Sequence, residues 1–232
     1  MASGPRRILL FGLSANPPTG EGGHRGLVRW VATRPAHPEL GGPIEAVWVL
    51  PVARHAFAEK ANLADFEHRL AMCRLAFEDL PGGVPVEVLD VEREVARARA
   101  GRPVGTIDVI EALEARHPEV RFGLLLGADT ARDLVRGRWR RADELRARIP
   151  LVVVGRPGDA GLEGDLAVAP DAPAPSAVSS TEARRATGDR LRALVAPAVA
   201  DYIERHGLYA AGRSGGPPDP GAAPRDGSPE VG

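Results

Sequence analysis

The chain has 232 residues, 44% of them hydrophobic, and a formal net charge of −1 at pH 7. That is enough apolar material to bury a core within one domain, and the near-neutral balance excludes any general attraction to nucleic acid or to an anionic membrane. A single cysteine, Cys73, excludes an intrachain disulfide and a cysteine-built metal cluster, so a reducing cytoplasm is the expected setting.

The elements follow in chain order. Residues 1–6 are too short before the first strand to act as a signal peptide, and no run approaches the ~20 apolar residues of a membrane span. Residues 7–12 read as a buried strand around Ile8-Leu9-Leu10-Phe11. A Gly- and Pro-rich loop follows, and then a helix over 24–33 with Leu27, Val28, Trp30 and Val31 on one side. Ala46-Val47-Trp48-Val49-Leu50 is a continuous apolar run, the signature of a parallel strand covered on both faces, and Pro51 ends it. Residues 52–62 are polar and hold His55 and Lys60, the only lysine. A helix is expected over 65–80, burying Phe66, Leu70, Cys73, Leu75 and Phe77. A strand over 84–89 precedes a charged stretch, 90–105, expected to be loop with a little helix. A helix over 106–117, a strand over 122–126, a helical patch after Gly127-Ala128-Asp129 and a strand over 149–154 complete the alternation. Ser179-Ser180-Thr181 has the hydroxyls to cap a further helix, and 191–194 and 197–206 continue a helical end. The tail, 211–232, is Gly/Pro-rich and is expected to be disordered.

Alternating strands and helices predict an α/β fold, a Rossmann-like doubly wound parallel sheet with a small C-terminal helical part. Ligands of such sheets bind at the carboxyl ends of the strands. The loop 12–24, the segment after Pro51 and Gly127-Ala128-Asp129 all fall there and are expected to share one crevice. Loop 12–24 combines glycines, a hydroxyl at Thr19 and an imidazole at His24 where a helix begins. Backbone N–H groups and the positive helix end favour phosphate at such a position. It is neither common nucleotide loop: it has no Gly-Lys-Ser/Thr, and Gly20-x-Gly22-x-x ends on Arg25.

Taken together, the motifs resemble those of the nicotinate/nicotinamide mononucleotide adenylyltransferases. The segments are Phe11-Gly12 to Asn16-Pro17-Pro18-Thr19, Val47 to Pro51 with His55 and Lys60, and Glu67 to Met72. Further along come Thr106-Ile107-Asp108, Gly127-Ala128-Asp129 with Trp139, Val178 to Arg184 and Tyr202 to Tyr209. The resemblance covers residues 6–210, with 179–209 as the helical C-terminal part. The chain departs from the family pattern in four ways. Two extra residues lie between Thr19 and His24, and Thr19 stands where many bacterial members have histidine. Gly105 replaces an aromatic, and Ala142 stands where a second Trp is common.

The resemblance implies transfer of the adenylyl group of ATP to nicotinate or nicotinamide mononucleotide, releasing pyrophosphate, in NAD biosynthesis. It implies catalytic roles for His24, Thr19 and Arg184. It places ATP against Gly12, Ser14, Gly22, Gly23, Gly127, Asp129, Ser179, Ser180 and Thr181, and the mononucleotide against Asn16, Lys60, Thr106 and Trp139. Mg²⁺ is expected as the cofactor, held mainly by the ATP phosphates, with no metal ligand from the protein. A homo-oligomer is compatible with the sequence. Two other readings stay open: the same chemistry on another phosphorylated acceptor such as phosphopantetheine, and a nucleotide-binding module without turnover.

Overall fold

In the computed structural model the described residues are 5–53, 63–100, 102–155, 169, 172 and 178–210. Among the described residues five strands form one sheet: β1 (Arg6–Leu13), β2 (Ala46–Pro51), β3 (Val86–Val88), β4 (Val120–Gly127) and β5 (Leu151–Val154). Their order across the sheet is β3-β2-β1-β4-β5, and every pairing is parallel. The chain therefore winds outward from β1 in one direction and then returns to wind in the other. The reversal between β1 and β4 opens a crevice beyond their carboxyl ends.

Both faces of the sheet are covered, which is why its strands read as unbroken apolar runs. Leu9, Phe11 and Leu13 of β1 face one layer, and Ile8 and Leu10 face the other, all buried. Each such side chain contributes about 1.5–3 kcal/mol on burial. The first layer holds α1 (His24–Thr33) and α2 (Phe66–Phe77) together with α8 (Gly188–Leu194) and α9 (Pro197–Arg205). The second holds α3 (Val91–Ala98), α4 (Thr106–Arg116), α5 (Ala128–Val135) and α6 (Ala142–Arg148). A short helix, α7 (Ser180–Arg185), joins the last stretch to the first layer through Ala183. The C-terminal helices thus share one core with α1 and α2. A two-residue ribbon, Ala36–His37 against Gly42–Pro43, decorates the link from α1 to β2.

Three expectations are corrected. Residues 91–98 form a full helix: Val91 and Val95, one turn apart, bury against the second layer while Glu94 and Arg97 are exposed. Leu75 does not join the buried side of α2 and is 38% exposed; Arg69, Met72 and Ala76 are buried on that helix instead. The third strand is cut to Val86–Val88, because an edge strand pairs on one side only. Helix α6 was not anticipated as a separate element; Leu145 anchors it to the second layer. His55, Lys60 and the tail 211–232 lie outside the described residues.

Candidate active site

The crevice is floored by the exits of β1, β2 and β4. Gly12, paired in register with Leu50, is exposed, and a Cβ built there would meet nothing within 4 Å. Gly127 at the end of β4 likewise faces open space. Two strand ends without side chains leave room for a ligand to approach the backbone.

Past β1 the chain folds back on itself at Thr19 to Gly23. The Gly23 N–H donates to the Gly20 carbonyl at 2.9 Å, and the Arg25 N–H donates to the Thr19 carbonyl at 3.0 Å. The Gly20 N–H reaches the Leu194 carbonyl of α8 at 2.8 Å, which pins the loop to the C-terminal helices. The two extra residues are thus absorbed in a tight turn that returns His24 onto Thr19.

The contact between these two residues is reciprocal. The Thr19 N–H donates to His24 Nδ1 at 3.1 Å, Thr19 Oγ1 lies 2.8 Å from the same nitrogen, and the His24 N–H donates to Thr19 Oγ1 at 2.9 Å. A backbone N–H can only donate, so Nδ1 carries no proton and the neutral ring holds its proton on Nε2. The Thr19 hydroxyl therefore gives its own proton to Nδ1 and accepts from the first N–H of α1, a group with no partner inside the helix. Thr19 is 2% exposed. Burial pushes the His24 pKa down to about 4, so the imidazole is a neutral Nε2–H donor at pH 7.

Gly23 is required by this packing. A Cβ at that position would lie 2.1 Å from Thr19 Oγ1.

The far wall of the crevice comes from α7. Ser179 caps it, its hydroxyl accepting the Glu182 N–H at 3.1 Å. Ser180 donates its hydroxyl proton to the Pro17 carbonyl at 2.8 Å. Arg184 donates to the Asn16 carbonyl at 2.8 Å and to Thr181 Oγ1 at 3.1 Å. The structure thus joins the opening loop directly to the Ser179–Arg184 turn.

The other predicted site residues are placed as follows. Asn16 is buried, and its amide oxygen accepts from the Ala64 N–H at 3.0 Å and the Tyr209 hydroxyl at 2.9 Å, so it ties chain segments together. Ser14 is half-buried, with its carbonyl 2.9 Å from Arg69 Nη1. Gly22 is half-buried in the turn. Asp129 does not cap α5, since Gly127 is the capping residue; its side chain is 90% exposed and pairs with Arg132 at 2.8 Å. Thr106 opens α4, and Asp108 reaches back to the Gly105 N–H at 2.8 Å. Trp139 is half-buried against the second layer. Gly105 lies beneath the stem of Arg140, whose Cβ is 3.1 Å from the position of a built Cβ. Ala142 begins α6 and is buried. Among the described residues no group of three or more His, Cys, Asp or Glu could hold a metal ion.

Two residues lie in segments that carry the resemblance but received no role from the sequence. Tyr209 closes onto Asn16 across 193 positions of chain. Arg69 sits fully buried on α2 and donates to four backbone carbonyls. The available signal was a lone charge at the i−4 position to Cys73, on the stripe that also holds Ala76.

Comparison with known proteins agrees with this geometry. Residues 23–186 match the Cytidylyltransferase-like family. A relative from Anaeromyxobacter dehalogenans, named "Probable nicotinate-nucleotide adenylyltransferase", is 40% identical over 89% of this chain and 98% of its own length. One of the same name from Salinibacter ruber is 32% identical over 86% of this chain and 96% of its own length. The fold matches a solved nicotinic acid mononucleotide adenylyltransferase of Plasmodium falciparum, complexed with NaAD, at a TM-score of 0.68 and 20% identity. That match covers 88% of this chain and 98% of the other. With identity of this level across nearly its whole folded length, the chain is a nucleotidyltransferase and belongs to the nicotinate-nucleotide adenylyltransferases of the Cytidylyltransferase-like family.

Proposed function

We propose that the Thr19–His24 pair and the Ser180–Arg184 turn are the two jaws of an ATP site. In it the 5′-phosphate of nicotinate mononucleotide attacks the α-phosphate of ATP. One oxygen of the mononucleotide phosphate forms the new P–O bond, the bond from the α-phosphorus to the α,β-bridging oxygen breaks, and pyrophosphate leaves with that electron pair. This displacement needs alignment and charge stabilisation and no protein nucleophile. The observation that carries the reading is the reciprocal Thr19–His24 contact, which fixes the ring and its tautomer and keeps Nε2–H as a donor to phosphate oxygens. Arg184, one turn into α7, supplies a cation next to the loop.

Mg²⁺ enters with ATP as part of the substrate. A hard cation of this kind keeps waters and phosphate oxygens as its ligands, and the protein need only leave space beside the triphosphate. The open space beside Gly12 and Gly127 is compatible with that arrangement. We place the mononucleotide on the side of Thr106 and Trp139, with the Trp139 ring as a stacking surface for the pyridine.

The test is direct. The purified chain with MgATP and nicotinate mononucleotide should yield pyrophosphate and the dinucleotide in equal amounts, and His24→Ala should lose most of this turnover while melting within a few degrees of wild type. Nicotinamide mononucleotide and phosphopantetheine run in parallel decide the acceptor. Binding of ATP without turnover on any acceptor would reject the reading.

A further inference from the structure

The guanidinium of Arg69 lies at the base of the crevice, where β1, β2 and α2 converge. Its Nε donates to the Ala64 carbonyl at 2.8 Å, and Nη1 to the Ser14 and Val52 carbonyls at 2.9 and 2.6 Å. Nη2 donates to the Ala53 carbonyl at 3.1 Å. These four acceptors belong to three stretches: the exit of β1, the exit of β2 and the entry to α2. The planar fork of arginine can reach all of them at once; the point charge of lysine cannot.

No carboxylate is among the four acceptors. Glu92, which accepts the Ala53 N–H at 3.0 Å, and Asp65 act on Arg69 through their charge. The ring of Phe66 covers the guanidinium at 5.3 Å. Burial lowers its pKa, yet an arginine keeps its proton. A buried cation is costly, and scaffold stability alone is served as well by apolar side chains. The cost is understandable if the charge and the fork serve the site above it.

The network continues from Arg69 to the opposite jaw. Ala64, whose carbonyl Arg69 holds, gives its N–H to the Asn16 amide oxygen at 3.0 Å. The Asn16 carbonyl in turn accepts from Arg184 at 2.8 Å. Arg69 and Arg184 are thus linked through Ala64 and Asn16, with Tyr209 bracing the same amide.

We propose that Arg69 is the positioning residue of this active site: it locks the exits of β1 and β2 and the entry to α2 into one register and thereby sets, through Ala64 and Asn16, where Arg184 stands. The proposal rests on the adenylyl-transfer reading above and adds a residue that does not itself touch substrate.

The experiment compares wild type, Arg69→Lys, Arg69→Met, Arg184→Lys and the double variant Arg69→Lys/Arg184→Lys. Each is assayed with MgATP and nicotinate mononucleotide at a temperature well below its own Tm. Misplacement of reacting groups by about 1 Å costs on the order of 100-fold in rate. The expected result is a kcat lowered about 10- to 100-fold in Arg69→Lys, with KM for ATP within about threefold of wild type. The double variant should fall short of the product of the two single losses, because both act on one tether. Full kcat in folded Arg69→Lys or Arg69→Met, with only a lower Tm, would overturn the proposal. Losses that multiply in the double variant, or failure of both Arg69 variants to fold, would also overturn it and leave Arg69 a scaffold residue. A wild-type chain that makes no dinucleotide would instead reject the adenylyl-transfer reading, so the two failures are distinguishable.

Discussion

Replacing Thr19 by Val tests the centre of the site with the smallest change in shape. Val keeps the branched volume in a position that is 2% exposed, so no cavity opens. What is lost is one oxygen with two partners. The His24 N–H at 2.9 Å loses its acceptor, and His24 Nδ1 loses the donor at 2.8 Å while keeping the Thr19 N–H at 3.1 Å. Leaving the amide unpaired costs about 1–3 kcal/mol, and the lost hydroxyl bond adds about 0.5–1.5 kcal/mol. The sum, about 1.5–4.5 kcal/mol, is below the ~5–15 kcal/mol stability of an ordinary domain, so the variant should still fold. Urea unfolding at pH 7.5 gives the stability change, with Thr19→Ser as the control that restores the oxygen. Turnover should drop about 10-fold or more, since a ring held by one bond in place of two loses its fixed direction. In the His24→Ala background the same Thr19→Val change should have little further effect on kcat. An equal loss of kcat with and without the imidazole would show that the hydroxyl does not act through His24, and the reasoning would fail.

Other consequences of the geometry are as easily measured. Gly23→Ala should remove most activity, because its Cβ would stand 2.1 Å from Thr19 Oγ1 and the loop must open to admit it; steady-state rates on a folded variant check this. His24 should titrate near pH 4, far below the ordinary 6.5, and a ¹⁵N NMR titration of the ligand-free protein should show Nδ1 unprotonated across neutral pH. The depressed value means that folding favours neutral His24. Its contribution to stability is complete above about pH 6.5 and is lost as pH falls toward 4, which a comparison of wild-type and His24→Asn melting across that window would reveal. Trp139→Ala should raise KM for the mononucleotide well beyond any change for ATP if the ring stacks on the pyridine; equal changes would place the acceptor elsewhere.

Much of this molecule is written locally. The apolar runs at Ile8 to Phe11 and Ala46 to Leu50 identify strands buried on both faces, because only a sheet covered by helices on both sides hides consecutive side chains. The loop 12–24 marks itself by composition, and its position after a strand and before a helix places Thr19 and His24 at the crevice. Short-range pattern also yields α1 and α4 to within a residue, since their apolar spacing and their starts lie within a few positions of each other.

Other features are set by distances across the chain. Whether 91–98 is a helix depends on Val91 and Val95 finding the second layer to pack against, and no window of sequence contains that partner. Leu75 looks apolar enough to be buried, but the orientation of α2 is fixed by Arg69 turning inward to four carbonyls. Sequence places Asn16 in the loop, but that Ala64, Arg184 and Tyr209 donate to its oxygens from 48, 168 and 193 positions away is visible only in the fold. The sequence by itself determined the sheet and the family. Tertiary structure alone decided which polar atoms are spent on holding the crevice together, because hydrogen-bond partners are chosen by proximity in space and a polar side chain does not announce whether its partner will be a substrate or its own backbone.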